Sequence, residues 1–161
     1  MINPQGITDI GLINFYEENG SDTTRIVYCS GRLKVGNGNE VGIFSFAVSG
    51  SGRRRVILKT NGPSLASNPD ISSPALSNPK LSLYEGSSFS NLLDTNGDWE
   101  DYDGNGSHNP FEDELDGRGI VLLDSSDSVL WANLFAGIYT VLLEIESGSS
   151  GLCVLEVTEY R

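Results

Sequence analysis

The sequence lacks the features that mark several large classes of protein. It has no run of about 18 apolar residues, so no segment is predicted to cross a membrane as a helix. Lys and Arg number 10 against 22 Asp and Glu, giving a net charge of -12. Nucleic acids require a basic face, and anionic membrane surfaces attract basic segments, so both are excluded as expected partners. Divalent cations are the natural counter-ions of such a chain.

Signals for export and for nucleophilic catalysis are also missing. Residues 1–11 have neither a basic n-region nor an apolar h-region, so they do not form a signal peptide. Either the protein is not exported by that route, or the sequence begins after a cleavage point. Ser64 lies outside any G-x-S-x-G motif, and His108 is the single histidine. A Ser-His-Asp site built on Ser64 is therefore not expected.

Two cysteines, Cys29 and Cys153, are present, and neither has C-x-x-C or metal-ligand spacing. Each lies in a strand-like run near one end of the chain. A disulfide can form if those two strands are neighbours. Two buried thiols are the alternative, which we favour because free cysteine is commonly buried.

Abundant glycine, with many Ser and Asn residues and few helix-favouring ones, predicts an all-β domain with tight turns. Apolar runs bounded by turn signals predict about eight strands, at a spacing typical of a single antiparallel β-sandwich. Residues 41–60 and 138–160 are each predicted to form a hairpin. The strands are predicted at 25–35 with a kink at Gly31, and at 41–49, 54–60, 81–85, 128–134, 138–146 and 152–160, with a further short one near 7–16.

Two parts of the chain are distinguished. Residues 1–24 are predicted to be an N-terminal arm or a first strand, and an arm can pair with the sheet edge of another subunit. Residues 25–161 are predicted to be the sandwich, with a long acidic loop at 94–116. The predicted core contains the apolar positions of the strands: Val27, Val41, Ile43, Phe46, Val56, Leu58, Leu81, Leu83, Leu134, Tyr139, Val141, Leu143, Val154, Leu155 and Val157.

The sharpest chemical signal lies in the acidic loop, where the segment DYDGNGSHNPFE at 101–112 matches the EF-hand calcium pattern D-x-[DN]-x-[DN]-G-x5-E. Calcium binds several oxygen ligands in a loose cage, and glycine at the sixth position, Gly106, permits the sharp turn that brings them together. The predicted ligands are the side chains of Asp101, Asp103, Asn105, Asn109 and Glu112 and the main-chain carbonyl of Ser107.

The pattern is not embedded in a paired EF-hand. The preceding stretch is rich in turn residues, and Pro110 removes an amide from the loop's closing strand. A plain solvated acidic loop is therefore the alternative. Asp94, Asn96 and Asp98 form a second ladder of oxygen ligands, either for a separate site or as further ligands of a shared one.

The two tryptophans and a run of arginines each allow two interpretations. Trp99 and Trp131 are either sugar-stacking platforms or covers over the core, and we favour the second because large aromatic residues are usually mostly buried. The three consecutive arginines at 53–55 are either an anion site or the charged tip of a hairpin, and we favour the tip.

Several blocks resemble a β-rich module of large secreted bacterial surface proteins. They are GIFSFAVSGSGRRRVILKTNGPSLA, NPKLSLYEGS, TNGDWED and LFAGIYTVLLEIESGSSGLCVLEVTEY, and they cover roughly residues 30–160. The chain is also loosely similar to bacterial pre-peptidase C-terminal domains. The resemblance implies an extracellular or cell-surface, non-catalytic, jelly-roll-like sandwich that can bind calcium. The EF-like segment departs from the module, so the resemblance supplies no metal ligands.

Three functions fit these observations. The first is a calcium-stabilised, non-catalytic binding or adhesion module outside a bacterial cell, with carbohydrate or another protein subunit as its partner. The second is a structural subunit of an extracellular assembly, a filament or a particle coat, joined through sheet edges or the N-terminal arm. The third is a hydrolase with paired carboxylates drawn from Asp98, Asp101, Glu112 and Glu114, but the sequence does not separate an acid from a base.

Overall fold

The structure is a computed structural model that describes residues 28–68, 74–100 and 124–160. This part of the chain is almost entirely β-structure, with one short 3-10 turn at Pro63–Ser67. The strands in these ranges are β1 (Tyr28–Val35), β2 (Gly42–Val48), β3 (Arg54–Asn61), β4 (Pro79–Glu85), β5 (Leu92–Asn96), β6 (Ser128–Leu134), β7 (Gly137–Ile145) and β8 (Gly151–Tyr160).

These eight strands form two four-stranded antiparallel sheets that face each other. The first sheet has the order β1-β8-β3-β6 and the second has the order β2-β7-β4-β5. β1 lies over β2, β3 lies over β4, and β6 lies over β4 and β5. The expected all-β sandwich is therefore confirmed. The proposed division at residue 24 falls outside the described residues, as does the predicted arm.

The core lies between the two sheets and follows from the two-residue period of the strands, which points alternate side chains inward. The inward side chains of the central strands are fully or almost fully buried, and burial of each one stabilises the fold by about 1.5–3 kcal/mol. They include Leu81 and Leu83 of β4, Val141 and Leu143 of β7, Val56 and Leu58 of β3, and Leu155 of β8.

Three predicted core positions are wrong. Val41 is partly buried just before β2 and is not part of the core, and strand alternation explains the other two. Ile43 is 54% exposed, because its neighbours on β2, Phe44 and Phe46, point into the sandwich instead. Val154 is half-buried, since the adjacent Leu155 takes the inward position. Val27 lies outside the described residues.

Both predicted hairpins are wrong, although their strands exist. β2 pairs with β7 while β3 pairs with β6 and β8, so residues 41–60 cross from one sheet to the other. Residues 138–160 cross in the same way, because β7 belongs to the second sheet and β8 to the first. Both connections have five residues, which reach about 16 Å when extended, and facing sheets lie about 10 Å apart.

Two local predictions also need correction. The first described strand, β1, runs through Gly31 without a kink and pairs with β8 in unbroken register. The predicted acidic loop at 94–116 begins later than expected, because Asp94 and Asn96 belong to strand β5. β5 pairs with β4 around a register shift at Leu83/Tyr84, and this pairing decides the strand despite its polar sequence.

The two cysteines are free thiols, although their strands are neighbours as expected. Cys29 is opposite Val157 and Cys153 is opposite Leu33, so the cysteines are four residues out of register. Four residues correspond to about 14 Å along a strand, whereas a disulfide requires Cα atoms about 4.4–6.8 Å apart. The disulfide is therefore excluded within one chain. Cys153 is fully buried and Cys29 is partly buried.

Within the described ranges, no helix has the length and apolar character that a membrane span requires.

Candidate functional site

Strand β5 ends in one sheet and β6 begins in the other, and the chain between them includes residues 100–123, which we call the acidic segment. The residues on the two sides of this segment are hydrogen-bonded to each other. Trp99 makes this connection and is 8% exposed. Its main-chain N–H donates to the carbonyl of Asp127 at 2.9 Å, and its indole N–H donates to the carbonyl of Asp124 at 2.9 Å. We call residues 96–99 together with 124–129 the stem.

Asn96 closes the stem from the other side. Its amide nitrogen donates to the carbonyl of Asp98 at 2.9 Å, and its amide oxygen accepts from the main-chain N–H of Val129 at 3.0 Å. The hydroxyl of Ser128 donates to the carbonyl of Gly97 at 2.9 Å. Because Asn96 and Ser128 are buried, these bonds satisfy polar groups that water does not reach.

A buried carboxylate links the stem to the turn that follows β3. Asp127 is fully buried, and its Oδ1 accepts from the main-chain N–H of Gly62 at 2.8 Å. Its Oδ2 accepts from the side-chain amide of Asn61 at 3.3 Å, and the same amide donates to the hydroxyl of Ser64 at 2.9 Å. Hydrogen bonds to a charged acceptor are stronger than neutral ones, so Asp127 fixes the start of the 3-10 turn.

Asp124 forms the turn that delivers Asp127 to this position. Its Oδ1 accepts from the N–H of Ser126 at 3.0 Å, and its carbonyl accepts from the N–H of Asp127 at 3.0 Å. An Asp that bonds the amide two residues later is a recognised turn signal. The run DSSDS at 124–128 carries this turn signal in the sequence itself.

Most of the predicted calcium ligands fall outside the described residues. This applies to Asp101, Asp103, Asn105, Ser107, Asn109 and Glu112. The three residues of the second ladder are described. Asp94 is half-buried on β5 and accepts from the N–H of Thr95 at 2.9 Å, Asn96 holds the stem, and Asp98 follows the strand. Across 28–68, 74–100 and 124–160, no three His, Cys, Asp or Glu side chains are grouped closely enough to hold a metal ion.

The tryptophans differ in their environment. Trp99 is buried and both of its N–H groups are bonded within the stem, so it is a structural cover and not a sugar-stacking platform. Trp131 is partly buried on the outer face of the first sheet, in register with Ile57.

Among the described residues, the outward side chains in the middle of the second sheet carry no charge, and Ser82 and Thr140 among them are buried. The hydroxyls of Ser45 and Thr140 lie 3.1 Å apart, as do those of Ser82 and Thr95, and each pair joins neighbouring strands. Lys80 and Glu144, which face each other across β4 and β7, mark the charged end of this surface. We call it the uncharged face; its residues are Ile43, Ser45, Ala47, Ser82, Tyr84, Phe89, Leu92, Thr95, Ile138, Thr140 and Leu142.

Exposed apolar side chains are concentrated on the uncharged face. Ile43 and Ile138 are 54% and 55% exposed, and Leu92 is 51% exposed. Phe89 packs edge-on against Tyr84 with a centroid distance of 5.3 Å and is 48% exposed. An exposed apolar patch on an otherwise highly charged protein is typical of a contact surface.

The three arginines at 53–55 do not form a hairpin tip, because β2 and β3 belong to different sheets. The guanidinium of Arg53 lies over the ring of Phe135, 4.5 Å from its centroid. Nε of Arg54 is 3.9 Å from a carboxylate oxygen of Glu159. Arg53 and Arg54 therefore have separate partners and make this end of the sandwich locally basic.

Comparison with known proteins gives likenesses in structure alone. No family model matches the chain, and no curated protein matches it. The structure is similar to the pre-peptidase C-terminal domain of a collagenase from Bacillus anthracis, with 10% sequence identity and a TM-score of 0.49. The match covers 88% of this chain and 100% of that one. This likeness concerns the arrangement of strands alone.

Proposed function

We propose that this chain is a non-catalytic, calcium-stabilised binding module that acts outside a bacterial cell. The observation that carries the proposal is the stem, where Trp99, Asp124 and Asp127 hold the two ends of the acidic segment within hydrogen-bonding distance. The described residues on the two sides of 101–123 are therefore neighbours in the fold.

The charge of the acidic segment favours a cation. Half of the 22 acidic residues lie between Asp94 and Asp127, and Arg118 is the one Lys or Arg among them. Crowded like charge destabilises a folded state unless something neutralises it. The EF-like pattern offers oxygen ligands at the spacing that calcium uses, and a hard divalent cation would offset the repulsion between like charges.

The experiment is a thermal melt of the full chain, with calcium and then with excess chelator. A ligand at about 100 times its dissociation constant stabilises the native state by about 2.7 kcal/mol, which corresponds to a rise in Tm of about 5–11 °C for a chain of this size. The variant Asp101→Asn/Glu112→Gln should lose this rise, because it removes two of the predicted ligands.

A matched control separates ligation from charge. Asp113→Asn/Glu114→Gln makes the same change in net charge on the same loop but alters no residue of the predicted ligand set. It should keep the calcium-dependent rise in Tm. An equal response in both double variants would mean that calcium acts on general charge, and a parent protein that does not respond would overturn the proposal.

Trp99 offers a second readout that does not depend on stability. The variant Trp131→Phe leaves Trp99 as the sole tryptophan, located in the stem next to the loop. Its fluorescence should change as calcium is added, and the change should be absent when Asp101→Asn/Glu112→Gln is introduced as well. If calcium raises Tm but leaves the fluorescence of Trp99 unchanged, the metal binds away from this loop.

For the binding activity we propose the uncharged face as the contact surface and neutral carbohydrate as its ligand. The exposed rings and aliphatic side chains there match the apolar faces of sugars, and the absence of charge favours a neutral ligand over a charged one. Phe89→Ala/Leu92→Ala should reduce retention on neutral polysaccharides without lowering Tm, since both side chains are about half exposed. Retention unchanged by this double variant would argue against the face.

A further inference from the structure

Among the described strands, β2 lies at one edge of the second sheet. In the part of the chain that the structure describes, β2 pairs with β7 alone. Its seven residues, GIFSFAV, include no charge and no proline, and they pair with β7 in unbroken register. Proteins usually protect exposed edges with charges, prolines or bulges, because an unprotected edge accepts another strand. β2 has none of these protections.

The other sheet edges differ from β2. β1 carries the exposed Arg32 and Lys34, and β5 is short and has a register shift against β4. β6 begins at Ser128, directly after the acidic stem, so a strongly acidic partner would be repelled there. β2 is therefore the described edge best suited to pairing.

The side chains of β2 show that this side of the sandwich is incompletely covered. Phe44, Phe46 and Val48 point towards the core but remain partly exposed, and Leu33 of β1 beside them is also partly exposed. In contrast, the inward residues Val141 and Leu143 of the adjacent β7 are fully buried. Addition of a strand alongside β2 would cover the partly exposed rings of Phe44 and Phe46.

The charges that flank β2 have opposite signs. The exposed Glu40 lies just before the strand, and the basic cluster at 53–55 follows it. The guanidinium of Arg54 is close to Gly50, where an added Cβ would be 2.9 Å from the terminal nitrogen. An antiparallel copy of the same strand would bring the acidic end of each molecule to the basic end of the other, whereas a parallel copy would pair like with like.

The large negative charge of the chain does not oppose this arrangement. The stem and its acidic segment are attached to β5, at the far edge of the second sheet. Three strand spacings separate β2 from β5, about 14 Å, and the Debye length at physiological ionic strength is about 8 Å. Pairing through β2 leaves the β5 strands, and the stem residues that follow them, at opposite ends of the paired sheets.

We propose that β2 is a self-association edge, and that two copies of this chain join through antiparallel β2 strands related by a two-fold axis at Ser45. This register overlaps all seven residues, places Phe44 opposite Phe46 of the second copy, and continues the uncharged face over eight strands. Glu40 then lies opposite Gly50 of the second copy, next to Arg54. The proposal goes beyond the calcium-dependent binding function and holds whether or not the loop takes up metal.

The first test is the mass of the full chain in solution by sedimentation equilibrium over a concentration series. The mass should rise from 17.3 kDa towards twice that value. Seven residues a side is fewer than the roughly 20–30 of a standard interface, so the rise is expected at high protein concentration. A mass of 17.3 kDa at every concentration would overturn the proposal. The same mass is expected if residues 1–27 of the same chain occupy this edge, and the proposal would then be wrong as well.

Cross-linking then tests the edge and the register together. In a Cys29→Ser background, Ser45→Cys places two thiols face to face at the two-fold axis, within reach of a disulfide. Ala47→Cys is the matched control, because its own copy in the second molecule lies about 14 Å away along the strand. Ser45→Cys should give a disulfide-linked dimer under mild oxidation and Ala47→Cys should not. Equal yields from the two variants would contradict the proposed pairing.

A charge-swap experiment requires no cross-link. Ile43 and Ala47 are exposed and face each other across the proposed interface, so Ile43→Glu/Ala47→Glu should abolish the dimer while Tm stays near that of the parent. Mixing this variant with Ile43→Lys/Ala47→Lys should restore a dimer of the two. Leu92→Glu lies on the same face but at the β5 edge, so this variant should still form the dimer. If Leu92→Glu abolishes the dimer, the two copies stack face to face instead of pairing through β2.

Discussion

The buried carboxylate of Asp127 accepts a hydrogen bond from the main-chain N–H of Gly62 at 2.8 Å, although 65 residues separate them in the sequence. Its second oxygen accepts from the amide of Asn61 at 3.3 Å. Burial of a carboxylate carries a desolvation penalty that hydrogen bonds from its donors offset, so the loss of a donor there is expensive. Asp127 therefore joins the stem to the turn after β3. A substitution of Asp127 should destabilise the stem and this turn together.

Asp127→Asn should lower the free energy of unfolding by about 1–3 kcal/mol, because its amide nitrogen would face the amide of Asn61. Asn61→Asp should also destabilise, since it would place two carboxylates about as close as the present 3.3 Å contact. The double variant Asn61→Asp/Asp127→Asn exchanges donor and acceptor and should recover much of the loss. Denaturant unfolding of the four proteins measures the coupling, and additive effects would show that the contact does not contribute to stability.

Glycine at 151 is expected to be required for a steric reason. A Cβ on Gly151 would be 2.5 Å from the main-chain nitrogen of Leu76 and closer still to the carbonyl of Ala75. These atoms belong to the backbone that runs beside Leu152 and bonds to it at 2.8 Å on both sides, so they cannot easily move away. Gly151→Ala should cost about 1–3 kcal/mol in denaturant unfolding.

Gly31 provides the matched control, since it is also a strand glycine but has nothing within 4 Å of an added Cβ. Gly31→Ala should be neutral, or stabilising by up to about 1 kcal/mol, because alanine reduces the conformational entropy of the unfolded chain. Equal losses at the two positions would mean that the close approach at Gly151 is not the cause.

The two thiols should differ in reactivity. Burial raises the pKa of the Cys153 thiol to about 12, and the reactive thiolate is therefore scarce at neutral pH. A thiol reagent at pH 8 should modify Cys29, which is partly buried, well before Cys153. In Cys29→Ser, labelling should wait for unfolding, and rapid labelling of that variant in native buffer would contradict the packing of β8.

The same shift gives a direction for stability at alkaline pH. The folded-state pKa of Cys153 lies above the ordinary value of 9.0, so between about pH 9 and 12 the unfolded chain releases this proton and the folded chain keeps it. The contribution of Cys153 to the free energy of unfolding is fully present below pH 9. As pH rises above 9, this contribution is lost by at most about 1.4 kcal/mol per pH unit. Cys153→Ala should show a shallower decline in unfolding free energy across this range than the parent.

The sequence by itself determined the fold class and most of the strands. Turn residues divide it into runs with strand-like composition, and the ranges predicted at 54–60, 81–85 and 128–134 lie within β3, β4 and β6. This succeeds because a strand's two-residue period and the residues that end it are local properties of the chain. The metal ligands predicted at 101–112 remain predictions, since they lie outside the described residues.

Only the tertiary structure decided which strands are neighbours and which residues meet. The connection between β2 and β3 is long enough either for a hairpin within one sheet or for a crossing from one sheet to the other. The two sheets bury their apolar faces against each other, and this packing selects the crossing. The register between β1 and β8 separates Cys29 from Cys153. The alternation of side chains along each strand does not reveal this register, because the two strands are distant in the sequence. The tertiary structure also brings Asp127 to Gly62, a contact between distant residues that no local pattern encodes.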